Sequence, residues 1–359
     1  MTDIWSPIEV GTMRLANRLA MAPMTRGRAM PDGTPSGISA QYYAQRASLG
    51  LLITEGTQPS EDGQGYLNTP GIHTPSHVEG WRRIAAAVHD AGGRLFIQLM
   101  HVGRMSHPDN TPHGRQAVAP SAIAPGVDMF TAKGPVPIPK PRALAREEVA
   151  AVTAEFVHAA RLAIEAGADG VEIHGANGYL IHQFIASNAN RRDDDYGGDI
   201  DNRMRFALEV SRAVAAAIGP ERTAIRLSPA MPLGGIEEGP EGPELYRRLV
   251  AELDGLGLAY LHLVHLGDEA LLADLRAAYK GVLILNRAGG GRDRIGRDLA
   301  AGLADIESYG QMVLANPDFA VRIAAGAPLN EARKELYYAG GAAGYTDYPT
   351  LHEIGAAAA

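Results

Sequence analysis

Short apolar runs alternate with long amphipathic, alanine-rich segments along the chain. That alternation constrains the fold most, because a repeated strand-helix unit builds a parallel sheet covered by helices. Eight such runs occur: Leu19–Met24, Leu51–Thr54, Leu95–Leu99, Val171–His174, Ala224–Leu227, Tyr260–Val264, Val282–Leu285 and Asp305–Tyr309. Eight units favour closure into an α/β (TIM) barrel, and 359 residues accommodate one barrel with insertions. One connector shows the helical logic. Glu147 and Glu148 suit the positive start of a helix, Val149, Val152, Phe156, Ala159, Ala160, Ala163 and Ile164 form one apolar stripe, and Gly167 ends it. No longer repeat and no linker interrupts the pattern, so 1–359 reads as a single domain.

Two segments depart from the repeat. Pro7–Leu15 alternates around a turn and is predicted to form an N-terminal β-hairpin plugging the barrel bottom. His101–Arg142, after the third strand, fits no periodic template and is rich in Pro, Gly and His, so it is expected to be a long excursion over the strand ends, acting as a lid. The Gly- and Ala-rich tail holds one ordered-looking island, Gly344–Pro349.

A formal charge of −8, a pI near 5.8 and the lack of any basic block argue against nucleic acid and against an anionic membrane surface. The absence of cysteine removes disulfides, thiolate zinc sites, cysteine nucleophiles and iron–sulfur ligation. The start Met1-Thr-Asp-Ile-Trp5 does not read as a signal peptide and no apolar stretch is long enough to span a bilayer, so the expectation is a cytoplasmic protein acting on a small molecule.

Active sites of such barrels lie at the C-terminal strand ends, which makes the residues closing each run informative. They are Pro23, Met24 and Thr25; Gly56; Gln98 to His101; His174; Arg226; His262; Asn286, followed by Gly289, Gly290 and Gly291; and Tyr309, Gly310 and Gln311. The fourth is the densest: Gly170-Val-Glu-Ile-His174-Gly-Ala-Asn177-Gly-Tyr179 breaks from a buried strand into a turn, where His174, Asn177 and Tyr179 can converge. Two donors able to grip an oxygen and a phenol able to supply a proton suit reactions on polarised carbonyl compounds. Glycines after the seventh and eighth strands suit a phosphate; Arg226 needs an anionic or electron-rich partner; Gln98 suits a heterocycle with alternating polar groups. Flavin mononucleotide (FMN) fits a phosphate at one end and a polar-edged ring at the other. Two other readings stay open: a metal-dependent barrel lyase or isomerase built on Glu172 and His174 with His101 or His262, and a non-catalytic phosphate-ligand binding protein.

Over nearly its whole length the chain resembles the Old Yellow Enzyme family of FMN-dependent ene-reductases. The resemblance is carried by Asn17–Arg26, Tyr43–Ala47, Ile97–Arg104, His174–Tyr179, Tyr196–Arg203, Ala315–Asp318, Pro328–Asn330 and Gly344–Pro349. It implies non-covalent FMN reduced by NADPH or NADH and reoxidised by an electron-poor alkene, in a monomer or homodimer with no resident metal. It further implies that Pro23, Met24 and Thr25 face the flavin, Gly56 and Gln98 hold its pyrimidine edge, and Arg226 sits by N1 and O2. Gly289, Gly290, Gly310 and Gln311 would lie at the phosphate. His174 and Asn177 would bind the substrate's carbonyl or nitro oxygen, hydride from flavin N5 would reach the β carbon, and Tyr179 would protonate the α carbon. Tyr66, Met100 and Tyr345 would line the substrate pocket, Met100 standing where some relatives carry tryptophan. At Gln311 the family pattern has arginine, and at Glu307 an apolar residue, so Arg287 or Arg292 is expected to supply the missing charge. The larger relatives with an iron–sulfur cluster are excluded by the missing cysteines.

Overall fold

A computed structural model describes residues 3–358. Eight parallel strands close the barrel in sequence order: β1 (Leu19–Met21), β2 (Leu51–Ile53), β3 (Leu95–Leu99), β4 (Gly170–Gly175), β5 (Thr223–Leu227), β6 (Tyr260–His265), β7 (Leu283–Arg287) and β8 (Ile306–Tyr309), with β8 pairing back to β1. The first strand ends before Pro23, earlier than its apolar run. By contrast β7 continues through Asn286 and Arg287, because its ladder to β6 persists past the last apolar residue and pairs His265 with Arg287. Between strands run the expected helices, among them Pro75–Asp90, Arg146–Glu165, Ile200–Ile218 and Gly242–Asp254. The helix after β7 shrinks to Arg297–Ala300, since Gly289, Gly290, Gly291 and Gly296 disfavour helix in the segment before it. Among the described residues no helix is long and apolar enough to cross a membrane.

Side chains fill the barrel in layers. At the bottom, Ala20, Leu51, Ile53, Phe96, Ala224, Tyr260, Ile284 and Ile306 pack with Val10 and Leu15 of the hairpin Ile8–Val10/Met13–Leu15, which plugs the barrel as expected. Truncating Leu15 to alanine there costs roughly 2–5 kcal/mol, as buried leucines generally do. Above this layer the inward residues turn polar. In the register of neighbouring strands His174 stands beside Arg226, and Arg226 beside His262, while Glu172 stands beside Gln98.

The excursion after β3 has more structure than its sequence suggests: Asp128–Thr131 and Gly134–Pro137 form a hairpin, and Val118–Ala119 pairs in parallel with Arg142–Ala143. The alternation that marks the hairpin is only four residues long, with Met129 buried and Phe130 exposed, too short to stand out in a Pro- and Gly-rich stretch. Met129 and Ile138 pack on Met100, Val102 and Met105, with Tyr66 and Tyr179 against them. The excursion therefore covers the end of β4.

Candidate active site

All six residues of β4 are buried, and the chain turns sharply where it leaves the barrel. His174 Nδ1 accepts the Ala176 N–H at 3.3 Å, which leaves the ring proton on Nε2. Burial, then the nearby Arg226 and His262, pushes the His174 pKa well below the ordinary 6.5. The ring is thus a neutral donor with one free N–H.

Asn177 holds a left-handed φ of 56°, and Gly178 follows at 81°. A Cβ on Gly178 would lie 2.2 Å from the Leu233 carbonyl oxygen, so only glycine fits. Three side chains lock this turn. Ser228 Oγ accepts the Asn177 N–H (2.8 Å), His182 Nδ1 accepts the Gly178 N–H (3.0 Å), and Gln183 donates to the Gly178 carbonyl (2.8 Å). His182 in turn donates from Nε2 to Glu238, which also accepts from the Tyr246 hydroxyl. The Asn177 amide makes no hydrogen bond among the described residues, and its Oδ1 is buried without a partner. The backbone turn is held, and the amide it carries is left free to take a ligand.

Tyr179 precedes the short helix Leu180–Ile185, with its ring edge-on to His174 at 5.0 Å between centroids. Its hydroxyl lies 3.0 Å from that of Tyr66. Burial and then the Tyr66 neighbour push the Tyr179 phenol well above its ordinary pKa of 10, so it stays protonated at neutral pH. Met100 forms the adjacent wall: a Cβ on Gly56 would meet its Sδ at 2.4 Å. The structure thus brings Tyr66 and Met100 to Tyr179. Tyr345 is elsewhere. It is fully buried, stacked on Tyr42 at 4.0 Å, with its hydroxyl bonded to Ser39 and the Arg26 and Arg28 guanidinium groups over its face. Stacking and cation–π contacts draw it into this cluster, which corrects its expected place in the pocket wall.

Below His174 lies a buried chain of polar groups that the sequence did not mark as one unit. Gln98 Nε2 donates to Glu172 Oε1 (2.8 Å), His262 Nδ1 donates to Glu172 Oε2 (2.8 Å), and His262 Nε2 is 2.9 Å from Ser308 Oγ. Only the i, i+2 spacing of Glu172 and His174 on one strand hinted at it. Both Glu172 oxygens are engaged and both His262 nitrogens have partners, so these residues satisfy one another; no cluster of three or more metal-ligating residues occurs among the described residues. Beside them Arg226 donates from Nη2 to Asn286 Oδ1 at 3.3 Å, while its buried Nε has no partner among the described residues.

Pro23, Met24 and Thr25 are partly exposed after β1, and Met24 Sδ lies 3.2 Å from where a Gly310 Cβ would be. Gly289 opens onto free space, Gly290 is half-buried and Gln311 is exposed. The expectation that Arg287 supplies charge here fails, because it is bound by Asp298 (2.7 Å) and Glu269 (2.6 Å). Arg292 donates to the Ala327 carbonyl at 2.5 Å. The loop's remaining arginine, Arg294, makes no side-chain hydrogen bond or ion pair among the described residues; its Nε is buried and unpartnered, and its Cδ lies 3.8 Å from a Cβ built on Gly290. Glu307 points away from the barrel interior and accepts the N–H groups of Gly296 (2.6 Å), Asp298 (2.9 Å) and Leu299 (3.1 Å), which explains a carboxylate at an otherwise apolar position.

A histidine with a free N–H, an amide without a hydrogen bond among the described residues and a protonated phenol thus stand at the end of β4, near an arginine with an orphaned Nε. The sequence profile of the NADH:flavin oxidoreductase / NADH oxidase family matches residues 3–330. The chain belongs to this flavin oxidoreductase family. A probable flavin mononucleotide-dependent alkene reductase of Leishmania infantum is 41% identical over 356 residues, covering 96% of each chain. Among solved structures, morphinone reductase in complex with tetrahydroNAD superposes with a TM-score of 0.93 at 42% identity, covering 98% of each chain. The Old Yellow Enzyme homologue from Zymomonas mobilis gives 0.93 at 39% identity, over 97% of this chain and 100% of that one. The barrel of this flavin oxidoreductase carries its polar residues at the C-terminal strand ends, and there the unpartnered Arg226 Nε is of a chemistry that would suit the electron-rich edge of FMN.

Proposed function

We propose that the protein is an NAD(P)H-dependent, FMN-containing ene-reductase acting on the C=C bond of α,β-unsaturated carbonyl or nitro compounds, with His174, Asn177 and Tyr179 as its catalytic residues. The observation that carries this reading is the Tyr179 hydroxyl, protonated and 3.0 Å from Tyr66, beside a neutral His174 donor. Bound FMN supplies the hydride. His174 Nε2–H and the Asn177 amide nitrogen bind the substrate oxygen and draw density from the conjugated bond, beside the apolar cluster of Met100, Met105 and Met129. Tyr179 gives its proton to the α carbon, and the Tyr66 hydroxyl then donates to the phenolate oxygen until a solvent proton replaces the one lost.

The cofactor positions follow the strand ends: Pro23, Met24 and Thr25 against the ring, Gly56 and Gln98 at the pyrimidine edge and Arg226 at N1 and O2. At the phosphate, Gly289, Gly290, Gly310 and Gln311 offer close backbone approach, and Arg294 is the cation in place of the engaged Arg287. Anaerobic stopped flow on Tyr179→Phe tests the mechanism. Reduction by nicotinamide proceeds at the parent rate, whereas reoxidation by cyclohexenone slows by about two orders of magnitude, the usual worth of a positioned acid. Reoxidation at the parent rate removes Tyr179 from the reaction.

A further inference from the structure

Glu172 is fully buried, and nothing in the proposed reaction uses it directly. A carboxylate taken out of water costs several kcal/mol unless it is paired and hydrogen-bonded. Its neighbours fix its state. A carboxylate only accepts, so the nitrogen of Gln98 must face Glu172 and the Gln98 carbonyl oxygen faces the other way. For the same reason His262 must carry its proton on Nδ1. Burial pushes the His262 pKa down against the raising effect of Glu172, with the like charge of Arg226 adding to it, so the ring stays neutral and its Nε2 accepts from the Ser308 hydroxyl. His262 therefore supplies a hydrogen bond and no positive charge. Burial pushes the Glu172 pKa up, and the hydrogen bond from His262, the charge of Arg226 and the hydrogen bond from Gln98 pull it down.

Arg226 has the complementary problem. It is buried, its one side-chain hydrogen bond among the described residues runs to the neutral Asn286, and no carboxylate of those residues lies within ion-pairing distance, but Glu172 stands diagonally across the β4–β5 ladder from it, two register positions away on the same face. The groups packed around the two charges are Gln98 on β3, His174 on β4, Tyr260 and His262 on β6, Asn286 on β7 and Ser308 on β8, all neutral. We propose that Glu172 is the fixed counter-charge of Arg226 and, through Gln98, a positioning residue for the flavin: its anion offsets the guanidinium, and its grip on the Gln98 nitrogen aims the Gln98 oxygen at the cofactor. The device makes the field at the flavin weaker than an isolated arginine would, and so holds the reduction potential down.

The inference rests on FMN occupying the barrel mouth, and its test separates the two claims. Redox titration of the FMN-loaded protein is compared for the parent, Glu172→Gln and Glu172→Asp. Glu172→Gln shifts the equilibrium about tenfold toward reduced flavin, a rise of roughly 30 mV for a two-electron couple, while Glu172→Asp, which keeps the charge, moves it less than about threefold. An FMN-loaded Glu172→Gln protein with the parent potential overturns the proposal. Where Glu172→Gln retains no FMN, urea unfolding of Arg226→Gln and of Glu172→Gln/Arg226→Gln decides: the double variant is the more stable, because Arg226→Gln alone strands a buried carboxylate. Additive losses overturn the proposal. A parent protein that binds no FMN instead removes the flavin assignment, and the unfolding arm still reads the charge coupling.

Discussion

Replacing His174 by alanine removes one pre-aimed donor from the substrate oxygen. The ring is neutral, its Nδ1 is fixed by the Ala176 N–H at 3.3 Å, and its free Nε2–H needs no reorganisation to bind an oxyanion. Loss of one such donor in a water-excluded site costs about 3–4 kcal/mol of barrier, or roughly 10²–10³ in rate. The lost bond to Ala176 takes about 1 kcal/mol from stability, too little to unfold the barrel. The assay is anaerobic stopped flow with dithionite-reduced enzyme and saturating cyclohexenone, which isolates alkene reduction from nicotinamide binding. His174→Asn keeps an N–H donor and recovers part of the loss. Because burial holds the His174 pKa well below 6.5, its protonation causes no decline in the parent rate between about pH 6 and 8. Reoxidation of His174→Ala within about threefold of the parent refutes the reasoning, since a donor fixed in advance on the developing oxyanion is worth far more than that.

His101 is fully buried with its pKa pushed down to about 4 by that burial, against 6.5 when free. The unfolded chain takes up a proton the folded protein refuses, so this contribution is complete above pH 6.5 and is lost as pH falls toward 4, up to about 3 kcal/mol. Urea unfolding between these limits should show a steeper loss for the parent than for His101→Asn; parallel curves contradict the assignment. Arg294→Gln should weaken FMN about tenfold, near 1.4 kcal/mol, and leave riboflavin unchanged, while Gln311→Arg tightens FMN. Fluorescence titration of both flavins checks this, and equal losses for FMN and riboflavin rule out a phosphate contact. Gly178→Ala forces a Cβ against the Leu233 carbonyl at a φ of 81°, and should lower stability by roughly 1–3 kcal/mol and displace both Asn177 and Tyr179. A melting temperature and an enone reduction rate equal to the parent's would count against the locked turn.

The barrel was legible because each strand is an apolar run closed by a polar residue, and strand ends in a parallel barrel face the same way. Gln98, His174 and Arg226 therefore emerged directly from the alternation. What stayed hidden depends on partners distant in sequence. Arg287 looked free until Asp298 and Glu269 folded against it, and Tyr345 looked like a wall until it stacked on Tyr42. The hairpin at Asp128–Pro137 is too short for periodicity to reveal. Glu172 read as a metal ligand in one alternative, because its spacing to His174 shows a shared strand face but not that Glu172 and His262 satisfy each other.

The central claim is that one site takes hydride from a nicotinamide and passes it to an activated alkene. A single anaerobic experiment on the purified protein tests it most directly: NADH or NADPH is added until the flavin bleaches, then cyclohexenone follows. The account predicts that the oxidised flavin spectrum returns on enone addition, with saturated ketone formed in equal amount to the flavin. A flavin that stays reduced in the presence of enones and nitroalkenes, or a protein that carries no flavin and binds none, contradicts it.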